Sequence, residues 1–314
     1  MYQFRIKSRQ HTPRLVYPQI NSKWSHVPVE LYASIVQHIW DKKTLATLAR
    51  VSRAMQDVAE HELYHSILLH PIETPALCKC IMTCRRLWSM IRKCDVFIQL
   101  QYSNNGLPNE KQIICTSRRL LACLRYFCRL NDLHIQSILK GTRLALESSL
   151  NDCQFGLRTF HCCDPFDVDI QNFLLTQPNI EELVVPSSQF NSQYQCRRGE
   201  KLITPNKATL PGQCLQKLTT IRVLTPSVLE LLVSGRPITR VEVLFWDGNN
   251  IEKMIANLAL STKPIKSLQV LNGLVTGASE LKYIGEQLPE LVYLGECLFV
   301  DKVGALPIFS YRIV

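Results

Sequence analysis

The 314-residue sequence lacks any long uncharged apolar run. Its longest stretches without a charged residue, 183–196 and 96–109, have 14 residues each and are rich in Ser, Asn and Gln. A membrane-spanning helix needs about 20 mostly apolar residues, so neither stretch predicts one. The first residues, from Met1 to Lys7, contain no apolar core of a secretory signal. These two absences predict a chain that is neither secreted nor embedded in a membrane.

The sequence is also poor in the motifs of catalysis and cofactor binding. It has only 12 glycines, and none of them forms a phosphate-binding loop, a Gly-x-Ser-x-Gly elbow or a kinase signature. The 13 cysteines are odd in number and follow no disulfide framework, which predicts reduced thiols in the cytoplasm or nucleus. The groups 78–84 and 161–163 lack the Cys-x-x-Cys half-sites of structural zinc. We therefore expect no metal, no cofactor and no enzymatic activity.

Composition indicates a folded chain with a basic surface. Apolar residues make up 46% and charged residues 20%, and the net charge is +10 (36 bases against 26 acids). Residues 1–23 carry five bases and no acid, and residues 85–143 carry eleven bases against three acids. The arginines of the second region punctuate an apolar helical pattern, which favours a solvated helix face, with an acidic partner as the alternative. A nucleic-acid partner is not indicated. A mitochondrial presequence is the alternative for the first region, although Pro13 and Pro18 would interrupt its helix.

Residues 24–66 show the pattern of three short helices. Pro28 suits a helix start, and an apolar stripe with a period of four residues follows it. Asp41 or Thr44 can cap the second helix, and Ser52 can cap the third. A unit of this size is too small to bury all its apolar side chains, each worth about 1.5–3 kcal/mol when buried. Such a surface predicts a binding partner.

These motifs resemble the F-box. The resemblance runs from Val27-Pro28-x-Glu30-Leu31 through a second stripe ending in Val51-Ser52-Arg53 to Leu63-Tyr64. It departs from the family in Val27, where leucine is more usual, and in the charged turn 40–43. F-box proteins bind the Skp adaptor of SCF ubiquitin ligases and, through it, the cullin and RING subunits. The resemblance implies the following adaptor-binding residues: Val27, Pro28, Leu31, Ile35, Leu48, Val51 and Ser52.

A zinc-protease motif overlaps the same segment. The letters H-E-x-x-H occur at His61, Glu62 and His65, a spacing that places two imidazoles one helical turn apart. A catalytic zinc needs a third protein ligand, and residues 66–70 do not supply the Gly and His of the extended motif. We interpret the two histidines as surface residues at the end of the third helix.

The rest of the chain repeats the pattern apolar-x-x-apolar-x-apolar. The pattern begins at residues 130, 157, 180, 218, 238, 265 and 291, so the starts are 27, 23, 38, 20, 27 and 26 residues apart. Helix-like stretches at 167–176, 226–233, 250–260 and 279–288 separate the strands, and 67–69 and 95–100 are predicted to be earlier strands. Alternating strands and helices predict a parallel sheet, and the alternation within each strand favours an open sheet with one polar face.

This spacing resembles that of leucine-rich repeats, which have periods of about 20–29 residues. The sequence thus predicts an α/β chain with a basic arm at 1–23, a three-helix F-box at 24–66 and an irregular leucine-rich-repeat solenoid, an open horseshoe, at 67–314. Alternating strand residues point to its concave face, which predicts a surface that binds a protein. Its candidate substrate-binding residues are His134, His161, Glu182, Arg222, Arg240, Glu242, Gln269 and Tyr293.

One spacing of 38 residues indicates an insertion at about 186–211. The segment is polar and turn-prone, and Phe190 and Tyr194 are its possible anchors for a substrate. An inert insertion is the alternative.

Together, the two resemblances imply a non-catalytic substrate receptor of an SCF ubiquitin ligase. The F-box would bind the Skp adaptor, and the solenoid would bind an unknown protein substrate. The alternative is a scaffold that binds Skp, or no adaptor, outside any ligase.

Overall fold

A computed structural model describes residues 28–70, 74–98, 110–137, 150, 152–163, 168–185, 210–223, 226–243, 251–271, 278–297 and 309–312. Three helices come first: α1 (Val29–Gln37), α2 (Lys42–Leu48) and α3 (Arg53–His65). The carboxylate of Asp41 accepts hydrogen bonds from the backbone N–H groups of Lys43 and Thr44, and the Ser52 hydroxyl accepts one from Met55. Both predicted caps are confirmed, because these side chains satisfy N–H groups at the helix starts.

The following residues form one sheet whose strands lie in chain order. The strands are β1 (Ser66–Leu69), β2 (Lys93–Ile98), β3 (Asp132–Ser137), β4 (Thr159–Cys162), β5 (Glu182–Val185), β6 (Thr220–Val223), β7 (Arg240–Val243), β8 (Ser267–Leu271), β9 (Tyr293–Cys297) and β10 (Phe309–Arg312). Strands β1 to β9 are all parallel, and β10 pairs antiparallel with β9. The sheet is open, since β1 and β10 end it on opposite sides.

Helices alternate with the strands, as the periodicity predicted. They are α4 (Pro75–Thr83), α5 (Arg85–Trp88), α6 (Glu110–Leu121), α7 (Val168–Leu175), α8 (Leu229–Val233), α9 (Ile251–Leu258) and α10 (Ala278–Gln287), with 3₁₀ turns at Leu124–Tyr126 and Pro226–Val228. The predicted α/β class, with parallel strands alternating with helices in an open sheet, is therefore confirmed. No helix among the described residues combines the length and apolarity that crossing a membrane requires.

A repeated pair of backbone hydrogen bonds joins successive repeats. The carbonyl oxygen of Thr219, just before β6, accepts the N–H groups of Thr239 at 2.9 Å and Arg240 at 3.0 Å. The carbonyl oxygen of Thr239 in turn accepts those of Lys266 at 2.8 Å and Ser267 at 3.1 Å. The same pairing occurs between the repeats from β2 to β9. It fixes the strand register even though the number of residues between strands varies.

The main core lies between the sheet and the helices. From β1 to β8 every second strand residue is buried there, as in Phe160 and Cys162 of β4 and Val241 and Val243 of β7. In β3 to β8 these are the residues of the apolar repeat pattern, so the sequence identified the buried face of these strands correctly.

The three N-terminal helices join the sheet without a linker. Helix α3 ends at His65 and β1 begins at Ser66, whose carbonyl oxygen accepts a hydrogen bond from the Lys42 ammonium at 2.9 Å. An ion pair joins Arg86 of α5 to Glu60 of α3. The side chain of Tyr64 packs against the main core. These contacts hold α2 against the first strand, and α3 against α5 and the main core.

Candidate functional site

The N-terminal helices expose an unusual amount of apolar surface. We define the apolar helix surface as Val29, Leu31, Ile35, Trp40 and Val51, whose exposed fractions are 52%, 54%, 53%, 94% and 68%. Side chains of these types are normally buried, and a concentration of them within 23 residues is typical of an interaction surface. Val29 and Trp40 are missing from the predicted adaptor-binding set. Trp40 could have been noticed as an aromatic side chain in an otherwise polar turn.

The opposite side of these helices forms a small core of its own. Val36, Leu45 and Ala59 are almost fully buried, and Leu48 packs against them as a half-buried side chain. Of the predicted adaptor-binding residues, Leu48 therefore lies mainly on the inner side. It supports α2 and α3 rather than adding to the apolar helix surface.

Two further predicted adaptor-binding residues, Pro28 and Ser52, lie at helix starts. Pro28 is exposed and directly precedes α1, where its ring suits the helical backbone. Ser52 is exposed and caps α3, with its Oγ 3.1 Å from the backbone N of Met55. Val27 lies outside the described residues.

The second surface is the face of the sheet that does not enter the main core, here called the open face. Strand register arranges its side chains in two rows. The first row runs from β2 to β9 through Asp95, His134, His161, Val184, Arg222, Glu242, Gln269 and Gly295. The second row, from β3 to β9, is Asp132, Thr159, Glu182, Thr220, Arg240, Ser267 and Tyr293. The alternation thus placed the predicted concave-face residues on one side of the sheet.

Titratable side chains on the open face contact one another. His134 Nδ1 lies 3.5 Å from Asp95 Oδ1, and His161 Nε2 lies 3.4 Å from Glu182 Oε1. On β6 and β7, Arg222 and Arg240 both bind Glu242, discussed below. The open face is therefore a surface of ion pairs and half-buried polar groups.

Glu242 differs from its predicted environment. Its side chain is only 6% exposed, because the guanidinium groups of Arg222 and Arg240 cover the two carboxylate oxygens. Arg222 binds Oε2 through Nε, and Arg240 binds Oε1 through Nη2 at 2.9 Å. A carboxylate out of water needs such partners. Glu242 consequently fixes the orientation of the two arginine side chains. A ligand on the open face would contact the exposed arginines and not the buried carboxylate of Glu242.

The ring of Tyr293 covers Gly295 on the open face of β9. A Cβ built on Gly295 would lie 2.7 Å from the Tyr293 hydroxyl oxygen, so the ring lies over the space that a side chain at 295 would occupy. Gln269, on the neighbouring strand, is half-buried in register with Gly295. The predicted anchors Phe190 and Tyr194, and the insertion that contains them, lie outside the described residues.

The zinc-like motif forms no metal centre in the described part of the chain. The rings of His61 and His65 have centroids 6.1 Å apart on α3, and no group of three His, Cys, Asp or Glu side chains with metal-binding geometry occurs among the described residues. Cys162 is buried in the core slot that the repeat pattern assigned to it. His161, its neighbour, lies on the opposite face of the sheet.

Comparisons with known proteins add no family assignment: the chain matches no protein-family model and no curated protein. The F-box and leucine-rich-repeat resemblances rest on the motifs alone.

Proposed function

We propose that this chain is a non-catalytic substrate-recognition subunit of an SCF-type ubiquitin ligase. In this proposal the N-terminal helices bind a Skp-family adaptor, and the open face of the solenoid binds a protein substrate. The adaptor brings the cullin and RING subunits, which supply the ubiquitin-transfer chemistry. The receptor contributes proximity, because it raises the local concentration of substrate lysines near that chemistry. Such a subunit would act in the cytoplasm or nucleus.

The exposure of the apolar helix surface carries the proposal. Leu31, Ile35 and Val51 come from the F-box-like motif, and each keeps more than half of its surface in water. Covering an apolar side chain of this size stabilises a complex by up to about 1.5–3 kcal/mol. A protein partner whose own apolar groove fits α1 and the start of α3 would recover that free energy.

The open face supports the substrate-binding half of the proposal. Its described side chains are of mixed charge, and Arg222, Arg240 and Glu242 are joined by ion pairs, an arrangement that suits recognition of a polypeptide. Parallel repeats present such a face over many strands, so a substrate could contact several repeats at once.

Co-purification with a Skp-family adaptor tests the docking half. The test variant is Leu31→Asp with Val51→Asp, and the matched control is Leu260→Asp with Val292→Asp, which replaces apolar residues exposed to 52% and 50% in the repeats. Burying new carboxylates should reduce adaptor recovery at least about tenfold in the test variant only. Thermal unfolding must show that both variants are folded.

Equal adaptor recovery by the wild-type chain and both folded variants would contradict the proposed docking surface. Capture of the adaptor without the cullin subunit, from a mixture that contains both, would favour the scaffold alternative. Capture of adaptor and cullin together supports the ligase function.

A further inference from the structure

The arginine pair on β6 and β7 forms an organised group of donors on the open face. Glu242 holds one nitrogen of Arg222 and one nitrogen of Arg240, and each of its oxygens binds a different guanidinium group. The carboxylate is 6% exposed, whereas the arginine side chains are 40% and 55% exposed. The carboxylate therefore orients both arginines from below and leaves their outer edges in water.

Each guanidinium group keeps donors for a further acceptor. A guanidinium has five N–H donors in a planar fork that matches a carboxylate or a phosphate. The described contacts use Nε of Arg222 and Nη2 of Arg240. The terminal nitrogens of Arg222 and the Nε edge of Arg240 have no other hydrogen-bond partner among the described residues. Because one carboxylate already fixes the two side chains, a ligand would lose less side-chain entropy on binding.

Neutral polar side chains flank Arg240 and Glu242 in register, whereas Arg222 has Val184 beside it on β5. Thr220 and Ser267 flank Arg240 on the adjacent strands, about 4.8 Å to either side. Gln269 flanks Glu242 on β8. We call Arg222, Arg240, Glu242 and their neighbours Thr220, Ser267 and Gln269 the arginine patch, and the Tyr293 ring borders it at β9. Hydroxyl and amide groups add hydrogen-bond donors next to the two cations, and the tyrosine ring adds an apolar edge.

The charge of the patch selects among anions. On the open face of β6, β7 and β8, the charged side chains are Arg222, Arg240 and Glu242, so the net charge of these three strands is 2 − 1 = +1. The nearest further carboxylate, that of Glu182 on β5, contacts His161 and adds a negative charge beside these strands. A single bound carboxylate would neutralise the net charge of the three strands. A phosphate dianion would leave an excess negative charge beside the buried Glu242 carboxylate, and like charges close together are unfavourable.

We infer that Arg222 and Arg240 form a site for one carboxylate of a bound polypeptide, an unphosphorylated Asp or Glu side chain. The inference rests on the proposed function, because it names the chemistry of the substrate that the open face would bind. It makes Glu242 a positioning residue and assigns the direct contacts to the two arginines.

A peptide array tests the inference without knowledge of the substrate. Short random-sequence peptides are printed in matched triplets that differ only at the central residue, which is Glu, phosphoserine or Gln. The full-length chain is applied with a fluorescent label. For sequences that bind the wild-type chain, we expect the Glu version to bind about tenfold more strongly than the Gln version, and also more strongly than the phosphoserine version.

Single-residue variants test whether Arg222 and Arg240 cause the preference for Glu-containing peptides. Arg222→Gln and Arg240→Gln should each abolish the preference for Glu, whereas the control Arg158→Gln, an exposed arginine outside the patch, should keep it. Glu242→Gln retains both arginines and raises the net charge to about +2, so it should shift the preference toward phosphoserine. This variant keeps the test decisive if an arginine variant fails to fold.

Equal binding of the Glu and Gln versions, or no binding by the wild-type chain at all, would overturn the inference. A Glu preference that survives Arg240→Gln in a folded protein would overturn it as well. The peptide array contains no Skp adaptor, so its result does not depend on whether the chain binds one. A Glu preference in a chain that recovers no Skp adaptor would leave the carboxylate site standing while the ligase function fails.

Discussion

The imidazole rings of His134 and His161 lie edge to face on neighbouring strands, with centroids 5.1 Å apart. The pKa of His161 is lowered, first by burial and then by the neighbouring His134, and Arg222 adds to this effect. The carboxylate of Glu182 opposes the lowering. The Oε1 atom of Glu182 lies 3.4 Å from His161 Nε2. Asp95 faces His134 on the other side.

This arrangement predicts that acidification destabilises the fold. The folded state disfavours protonation of His161, whereas the unfolded chain protonates it near the ordinary pKa of 6.5. Below pH 6.5 the unfolded chain therefore binds the His161 proton more readily than the folded protein does. The stability that the folded protein has above pH 6.5 is lost as the pH falls from 6.5 through the lower pKa of His161 in the folded state. One such proton changes the free energy of unfolding by at most about 1.4 kcal/mol per pH unit.

Urea unfolding between pH 7.5 and pH 5 measures the effect, with His161→Asn as the comparison. The wild-type chain should lose more stability over that interval than the variant, since an asparagine side chain does not titrate. Parallel stability curves for the two proteins would contradict the assignment to His161.

A second prediction concerns Arg236, which is fully buried without a carboxylate partner in the described residues. Its guanidinium donates to five backbone carbonyl oxygens, at distances of 2.9–3.2 Å; these belong to Leu210, Pro211, Cys214, Leu231 and Ser234. Burial lowers the pKa of Arg236. The hydrogen bonds of Arg236 connect the segment before β6 to the end of α8, so they stabilise the packing of two consecutive repeats.

Removing this guanidinium should destabilise the protein strongly. In Arg236→Met the carbonyl oxygens lose their donors inside the protein, and we expect a loss of at least about 3 kcal/mol in the free energy of unfolding. Arg236→Lys keeps the charge but has fewer donors, so its loss should be intermediate. Chemical denaturation followed by circular dichroism measures both. The exposed Arg158→Met is the control, and a similar loss there would refute a special role for Arg236.

The sequence predicted the strands well because each strand carries its own pattern. In β7, Val241 and Val243 alternate with Arg240 and Glu242, and that alternation alone separates the buried face from the open face. The repeat spacing then predicts parallel neighbours. No information from distant residues is needed for either inference.

Environments that depend on distant residues could not be predicted in this way. The burial of Glu242 requires Arg222, 20 residues earlier on the adjacent strand. Arg236 is buried because carbonyl groups from two segments converge on it, whereas a lone arginine in a sequence suggests the surface. Apolar side chains occur on two sides of α1, and their periodicity alone does not separate the buried Val36 from Leu31 and Ile35, which face water.

The last prediction separates two roles of Ser52, which the F-box resemblance places at the adaptor surface and the structure places at the cap of α3. Ser52→Ala removes the acceptor for the Met55 N–H, and loss of such a cap costs about 1 kcal/mol. Ser52→Asn supplies a new, uncharged acceptor and should retain most of the stability. If Ser52 acts only as a cap, adaptor binding by the Asn variant, measured by calorimetry at a temperature where both variants are folded, should match that of the wild-type chain. Weakened binding by a fully stable Asn variant would show instead that the adaptor contacts residue 52 directly.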